Sequence, residues 1–288
     1  MITVYFDTTV YSHIDKGWIG KEVVDMLRGT LLTAKLTARL SVTNIEELLG
    51  QWETDRPAAI RKLCLARDLV GFDKLLKAPN TLMEEAVRAY AAGSPPPSPF
   101  LPEDQREILA RRTHRIANGD TNFDGTVSGI IGAVGVLKQT TLNQWTEGRR
   151  EVHSRLNPDS VEPGHPQRKN ITWFLKSEEQ TYAEGLAETL GLGEACRKRG
   201  LDGLLNVRVV RFYVNALAAY VFDITIGKEL QPRAPKWGDD YDFWHIISAS
   251  TGDAFVTYDD GLFKLLMRLP IDDFRVFPSI PALLDAIA

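Results

Sequence analysis

The stretch from Gly238 to Leu262, GDDYDFWHIISASTGDAFVTYDDGL, constrains the fold of this chain more than any other. It opens on three carboxylates, Asp239, Asp240 and Asp242, and continues as an apolar pattern at helical spacing through Phe243, Ile246, Ile247 and Ala249. A turn at Thr251 to Asp253 leads into the β-prone run Ala254 to Thr257, which ends in Tyr258, Asp259 and Asp260. Acids therefore stand at the start of a helix and just past the end of the next strand. In an open α/β sheet the carboxyl ends of the strands face one crevice, and acids from both places can share it.

The beginning of the chain has the same design. Residues 1–11, MITVYFDTTVY, read as a buried strand from Ile2 to Phe6 that stops at Asp7, because a charge directly after such a run cannot stay in the core. Taken alone, Asp7 reads as the N-cap of the Thr8 to Ile14 segment. A mixed helical segment around Lys21 to Arg28 precedes a second short strand, Ala38 to Thr43. Asn44 is then expected to cap a helix whose apolar stripe is Ile45, Leu48, Leu49 and Trp52, with Glu46 and Glu47 in its first turn.

SVTNIEELLG resembles the strand-helix signature of the PIN domain family of metal-dependent nucleases. MITVYFDTTVY is similar to that family's first strand with its acid, and DFWHIISASTGDAFVTYDDGLF to its closing helix-strand-acid unit. The tail Arg275-Val-Phe-Pro-Ser-Ile-Pro-Ala-Leu-Leu fits its last strand and short helix. The resemblance covers about the first 60 and the last 50 residues, and four pieces in the right order make it more specific than any one of them. It implies an α/β fold, a three-layer α/β/α domain around a mostly parallel sheet. It also implies a site of four acids: Asp7, Glu47, Asp242 and Asp259. Glu46 stands as the alternative to Glu47, and Asp239 or Asp240 as sharing the work of Asp242. Thr8 and Thr257 would position a water or a phosphate oxygen, with Asp260 behind them. His245, three residues after Asp242, either orients that carboxylate or is satisfied by the backbone of its helix.

Carboxylates converging on a crevice raise one another's pKa unless a cation sits among them, and oxygen ligands suit hard ions, Mg²⁺ or Mn²⁺. Such ions activate water and stabilise the leaving oxygen of an in-line displacement. The expected activity is hydrolysis of a phosphodiester, with RNA as substrate and single-stranded DNA as a second choice. An antitoxin-like protein or a second copy of the chain is the expected partner. Two rivals remain. GDDYD also imitates the acidic motif of haloacid-dehalogenase-like phosphatases, in which Asp7 would be the nucleophile, although Asp7-Thr-Thr-Val lacks that family's second acid or Gly-Thr turn. The other is a non-catalytic, PIN-like scaffold or regulated interaction module.

The usual PIN domain is much shorter than these 288 residues. The stiff stretch Gly93-Ser-Pro-Pro-Pro-Ser-Pro marks the edge of an insertion, so the nuclease-like part is expected at 1–94 and 236–288, with a mainly helical insertion at 95–235. Helices are expected over Arg61 to Lys77, Glu103 to Ile116, Glu178 to Cys196 and Val207 to Ile226. Arg111, Arg112 and Arg115 on one face, and Arg149, Arg150 and Arg155 beyond Trp145, are candidate phosphate contacts or a solvated face. Asp120-Thr-Asn-Phe-Asp-Gly imitates a calcium loop but has Ile131 at its twelfth position, so an Asx-rich turn is expected. The segment 103–235 holds 18 Lys+Arg against 17 Asp+Glu and the rest 16 against 21, which excludes nucleic-acid binding by bulk charge. Isolated Cys64 and Cys196, the lack of a secretory signal and the lack of a bilayer-length apolar run point to a cytoplasmic protein away from membranes.

Overall fold

The computed structural model describes residues 1–156, 171–225, 234–236 and 239–287. In chain order the elements are β1 (Ile2–Phe6), α1 (Thr8–Asp15), α2 (Lys21–Leu32), β2 (Leu36–Ser41), α3 (Val42–Leu49), α4 (Arg56–Leu69), β3 (Leu75–Leu76) and α5 (Pro79–Ala92). They continue as α6 (Glu103–Ala117), α7 (Asp124–Leu156), α8 (Ile171–Thr189), α9 (Gly193–Arg199), α10 (Leu201–Leu205) and α11 (Arg208–Thr225). The chain closes with α12 (Asp239–Ala249), β4 (Ala254–Val256), α13 (Asp260–Leu266), β5 (Arg275–Phe277) and α14 (Ile280–Ile287). Among the described residues no helix is long and apolar enough to cross a membrane.

The five strands form one all-parallel sheet in the order β3-β2-β1-β4-β5. Parallel strands are buried on both faces, and the period of two divides their side chains between two cores. Val4 and Phe6 of β1, with Ala254 and Val256 of β4, face the core built with α1, α2, α3, α4 and α14. Tyr5 and Phe255 face the other way, onto α11, α12 and α13. Helices thus cover both faces in a three-layer arrangement. The chain builds β2 on one side of β1 and β4 on the other, so the strand order reverses between β1 and β4. The crevice beyond their carboxyl ends is where such sheets hold ligands.

Several sequence expectations are corrected. Ser41, not Asn44, is the N-cap of α3; Asn44 is the third helical residue and closes a capping box with Ser41. Glu46 and Glu47 consequently stand in the second turn. The helix expected to reach Lys77 stops at Leu69, because Gly71 takes a left-handed φ of 86° and the chain then extends into β3. The helix expected from Glu178 to Cys196 is two, α8 and α9, broken where Gly191 has φ of 69°. Asp120 forms the expected Asx turn, its carboxylate accepting from the Asn122 N–H at 3.0 Å. The segment 95–235 shares the cores of the rest: Ile116, Ala117 and Val127 join one, and Phe212, Ala216, Ala219 and Tyr220 join the other. The side chains of Arg149, Arg150 and Arg155, and residues 226–233 near its far edge, lie outside the described residues.

Candidate metal centre

Asp7, Glu47, Asp242 and Asp259 come from four separate segments and line one cavity of about 500 Å³ at the β1/β4 crevice, together with Thr8, Thr9, Tyr220, Asp223, Lys236 and Asp239. Asp7 occupies the N-cap position of α1 but makes no side-chain cap bond. Its Oδ2 instead accepts from Thr257 Oγ1 at 2.7 Å and from Thr9 Oγ1 at 2.5 Å, while the residue is only 2% exposed. Glu47, half-buried, accepts from Thr8 Oγ1 at 2.5 Å and is joined to His245 Nε2 at 2.7 Å. The ligand atoms of Asp7, Glu47 and His245 all lie within 4.8 Å of one another, a spacing that fits the coordination sphere of one small cation, so this buried group can hold a metal ion.

His245 makes its hydrogen bond to Glu47 of a different helix, with Asp7 Oδ1 3.8 Å from the same ring nitrogen. Its ring is buried, and its Nδ1 meets the Tyr5 hydroxyl at 2.8 Å, which in turn meets Ser41 Oγ at 2.7 Å. The cap of α3 is thereby linked through Tyr5 and His245 to the carboxylate at its last turn. Such a link fixes the orientation of Glu47 as an outer partner fixes a metal ligand.

Burial dominates the electrostatics of the site. Burial, with Asp7 and Asp259 nearby, pushes Asp242 up to about 8. Burial also raises Asp7, with Glu47 adding to the effect and His245, Thr9 and Thr257 opposing it. Burial works against charged His245, but the hydrogen bond and charge of Glu47, with Asp7 and Asp242, outweigh it and hold the imidazole above its usual value. For Glu47 burial is again outweighed, by His245, Thr8 and Lys138, and its pKa falls.

The remaining expected site residues divide. Asp239 lines the cavity, but its Oδ2 accepts from the Lys236 N–H at 2.8 Å at the start of α12. Asp259 is exposed, and its Oδ1 caps α13 through the Leu262 N–H at 2.8 Å. Thr257 joins both acids, donating to Asp7 and accepting from the Asp259 N–H at 2.9 Å. Asp260 is exposed and paired with Lys264, outside the cavity lining. Glu46 and Asp240 line a neighbouring cavity instead. None of Arg111, Arg112 and Arg115 borders the acids; Arg115 pairs with Asp120 at 2.6 Å.

Sequence reading missed Thr9, Tyr5, Tyr220, Asp223 and Lys236. Thr9, two residues past Asp7, carried a local signal, since a hydroxyl there reaches back to an Asp. Tyr5 stands on the strand face opposite Phe6, the face toward α12, which the period of two could have indicated. Tyr220 and Asp223 share a face of α11, but nothing local connects them with Asp7. No family model, curated protein or solved structure matches the chain, so the reading of this centre rests on its own residues.

Proposed function

We propose that the chain is a metal-dependent nuclease of the PIN type that hydrolyses phosphodiester bonds in RNA, with Asp7, Glu47, Asp242 and Asp259 holding Mg²⁺ or Mn²⁺. The observation that carries this reading is the meeting of four carboxylates from four segments in one cavity at the switch point of a parallel sheet. Burial, with Asp7 and Asp259 nearby, raises the pKa of Asp242, and a divalent cation among the acids would offset both effects. A donor set of carboxylate oxygens suits hard ions. A cation bound there would polarise the phosphoryl group and lower the pKa of a water. The protein's own contribution is positional. Thr9 and Thr257 hold Asp7, Thr8 and His245 hold Glu47, and the Thr257 hydroxyl connects Asp7 to the start of the Asp259 turn. Lys236, which lines the cavity, would meet a non-bridging phosphate oxygen.

The test is cleavage of labelled single-stranded RNA by the purified protein with Mg²⁺, Mn²⁺ or EDTA, beside Asp242→Asn. Cutting that requires the metal, is lost in the variant and leaves the ends of water attack supports the reading. Products carrying a 2',3'-cyclic phosphate would overturn the mechanism. Folded protein that cuts nothing with either metal would leave a non-catalytic scaffold.

A further inference from the structure

Beside the acidic cavity lies a second one of about 330 Å³, lined by Val42, Thr43 and Glu46 of α3, the start of α5 from Ala78 to Asn80, Val134 and Lys138 of α7, and Asp240, Tyr241 and Trp244 of α12. The same two helices wall both cavities. On α12, Asp239 and Asp242 face the acids, whereas Asp240, Tyr241 and Trp244 face the second space; on α3, Glu47 and Glu46 divide in the same way. The two spaces are therefore neighbouring subsites on one ridge, not separate features.

The second cavity differs chemically from the first. Two aromatic side chains contribute to its walls: Tyr241, buried, with Lys138 Nζ 3.6 Å from its ring centroid, and Trp244, partly exposed to the space. Its polar groups are mixed, with carboxyl acceptors from Glu46 and Asp240 and donors from Lys138 and Asn80. Two carboxyls against one ammonium disfavour a phosphate. A planar, uncharged heterocycle with donors and acceptors on its edge suits such walls, and the volume lies in the range of small-molecule clefts, about 300–1,000 Å³.

We propose that this cavity is a nucleobase subsite, in which a base next to the scissile phosphate lies against Trp244, with its edge toward Glu46, Asp240 and Lys138. The inference rests on the nuclease reading for its account of the adjoining phosphate, but base binding can be measured without cleavage.

The full-length protein in EDTA is titrated with guanosine, adenosine, cytidine and uridine, and with ribose as the base-free control, following tryptophan fluorescence and heat. Saturable binding of at least one nucleoside is expected, with none for ribose. Trp244→Phe identifies the fluorescence signal. Val134→Phe fills the cavity from α7 while leaving every residue of α3 and α12 in place, and is expected to weaken nucleoside binding by about tenfold, the size of one base–aromatic stack. In RNA cleavage the same variant is expected to raise KM by about tenfold, leave kcat within about threefold and leave Mn²⁺ affinity unchanged. Nucleoside binding without any metal-dependent cleavage would retain the subsite and remove the nuclease reading. Metal-dependent cleavage with an unchanged KM in a folded Val134→Phe protein, and no saturable nucleoside binding, would overturn the subsite alone.

Discussion

Asp242 shows most directly how a single residue can reveal the demand of a site. Its pKa is raised from 3.8 to about 8, so between those values the native state binds more protons than the unfolded chain, and stability falls as pH rises. His245, held above its usual value, acts in the same direction: its contribution is full below the unfolded pKa and is lost as pH rises through the folded one. Thermal melts in EDTA are therefore expected to fall in Tm from mildly acidic to mildly alkaline buffer, with Asp242→Asn flattening the slope and raising Tm at the alkaline end. Mn²⁺ should restore the wild type but not the variant, since a ligand bound only to the native state stabilises it. Identical slopes for the two proteins in EDTA would show that Asp242 bears no such charge strain. His245→Ala removes the partner that aims Glu47 and is expected to weaken Mn²⁺ binding by about 10–100-fold, read by titration calorimetry. Asp7 and Asp259 were legible in the sequence as carboxylates that follow apolar runs, whereas Glu47 and Asp242 were singled out only through the resemblance; all four line one cavity. The role of His245 was not legible, because the pattern within α12 offered Asp242 as its neighbour and the actual partner, Glu47, lies 198 residues away.

At the level of elements, the clearest dependence is that of α3 on its cap. Asn44 is fully buried; its Oδ1 accepts from the Ser41 N–H at 2.9 Å, and its Nδ2 donates to the Phe6 carbonyl at 3.0 Å, one residue before Asp7. One amide thus joins the ends of β1 and β2 and sets where Glu47 enters the cavity. Asn44→Ala leaves two buried backbone groups unsatisfied and is expected to cost about 2–4 kcal/mol in urea unfolding. A loss below about 0.5 kcal/mol would mean that water or a shifted cap replaces the amide. Sequence pattern located β1, β2, β4 and the helices α2, α3, α4, α6, α11 and α12, with β5 and α14 added by the resemblance, and it did not read α5 or α7 as helices. It failed at β3, where Leu75-Leu76 is too short for a period of two to separate from the helix before it. At α3 it chose the wrong cap, because SVTN offers several residues able to accept the first N–H groups and only the tertiary bond to Phe6 distinguishes them.

Taken as a whole, the molecule draws part of its sheet cover from the segment between 95 and 235. The start of α11 is tied to the loop that enters β4, with Arg208 donating to the carbonyls of Ser250 and Gly252, each at 2.7 Å. Further along, Phe212 is fully buried and meets the Phe274 ring edge-on at 4.8 Å, and Tyr220 borders the acidic cavity itself. These contacts cover the face of β1 and β4 that carries Tyr5 and Phe255. Sequence composition could mark the Pro-rich edge at 94–99 but not this packing, because an amphipathic helix reads alike whether its apolar face meets its own neighbours or a distant sheet. Replacing 95–235 with a short linker therefore exposes the aromatic face of the sheet, and the shortened chain is expected to lack a cooperative melt and to bind a hydrophobic dye. Phe212→Ala in the full chain asks the same question mildly, with an expected loss of about 3–5 kcal/mol if the two parts unfold together. A shortened chain that melts cooperatively, or a Phe212→Ala protein in which α11 is lost while the centre around Asp7 keeps its Mn²⁺ affinity, would show that the sheet and its acids stand without the segment's cover.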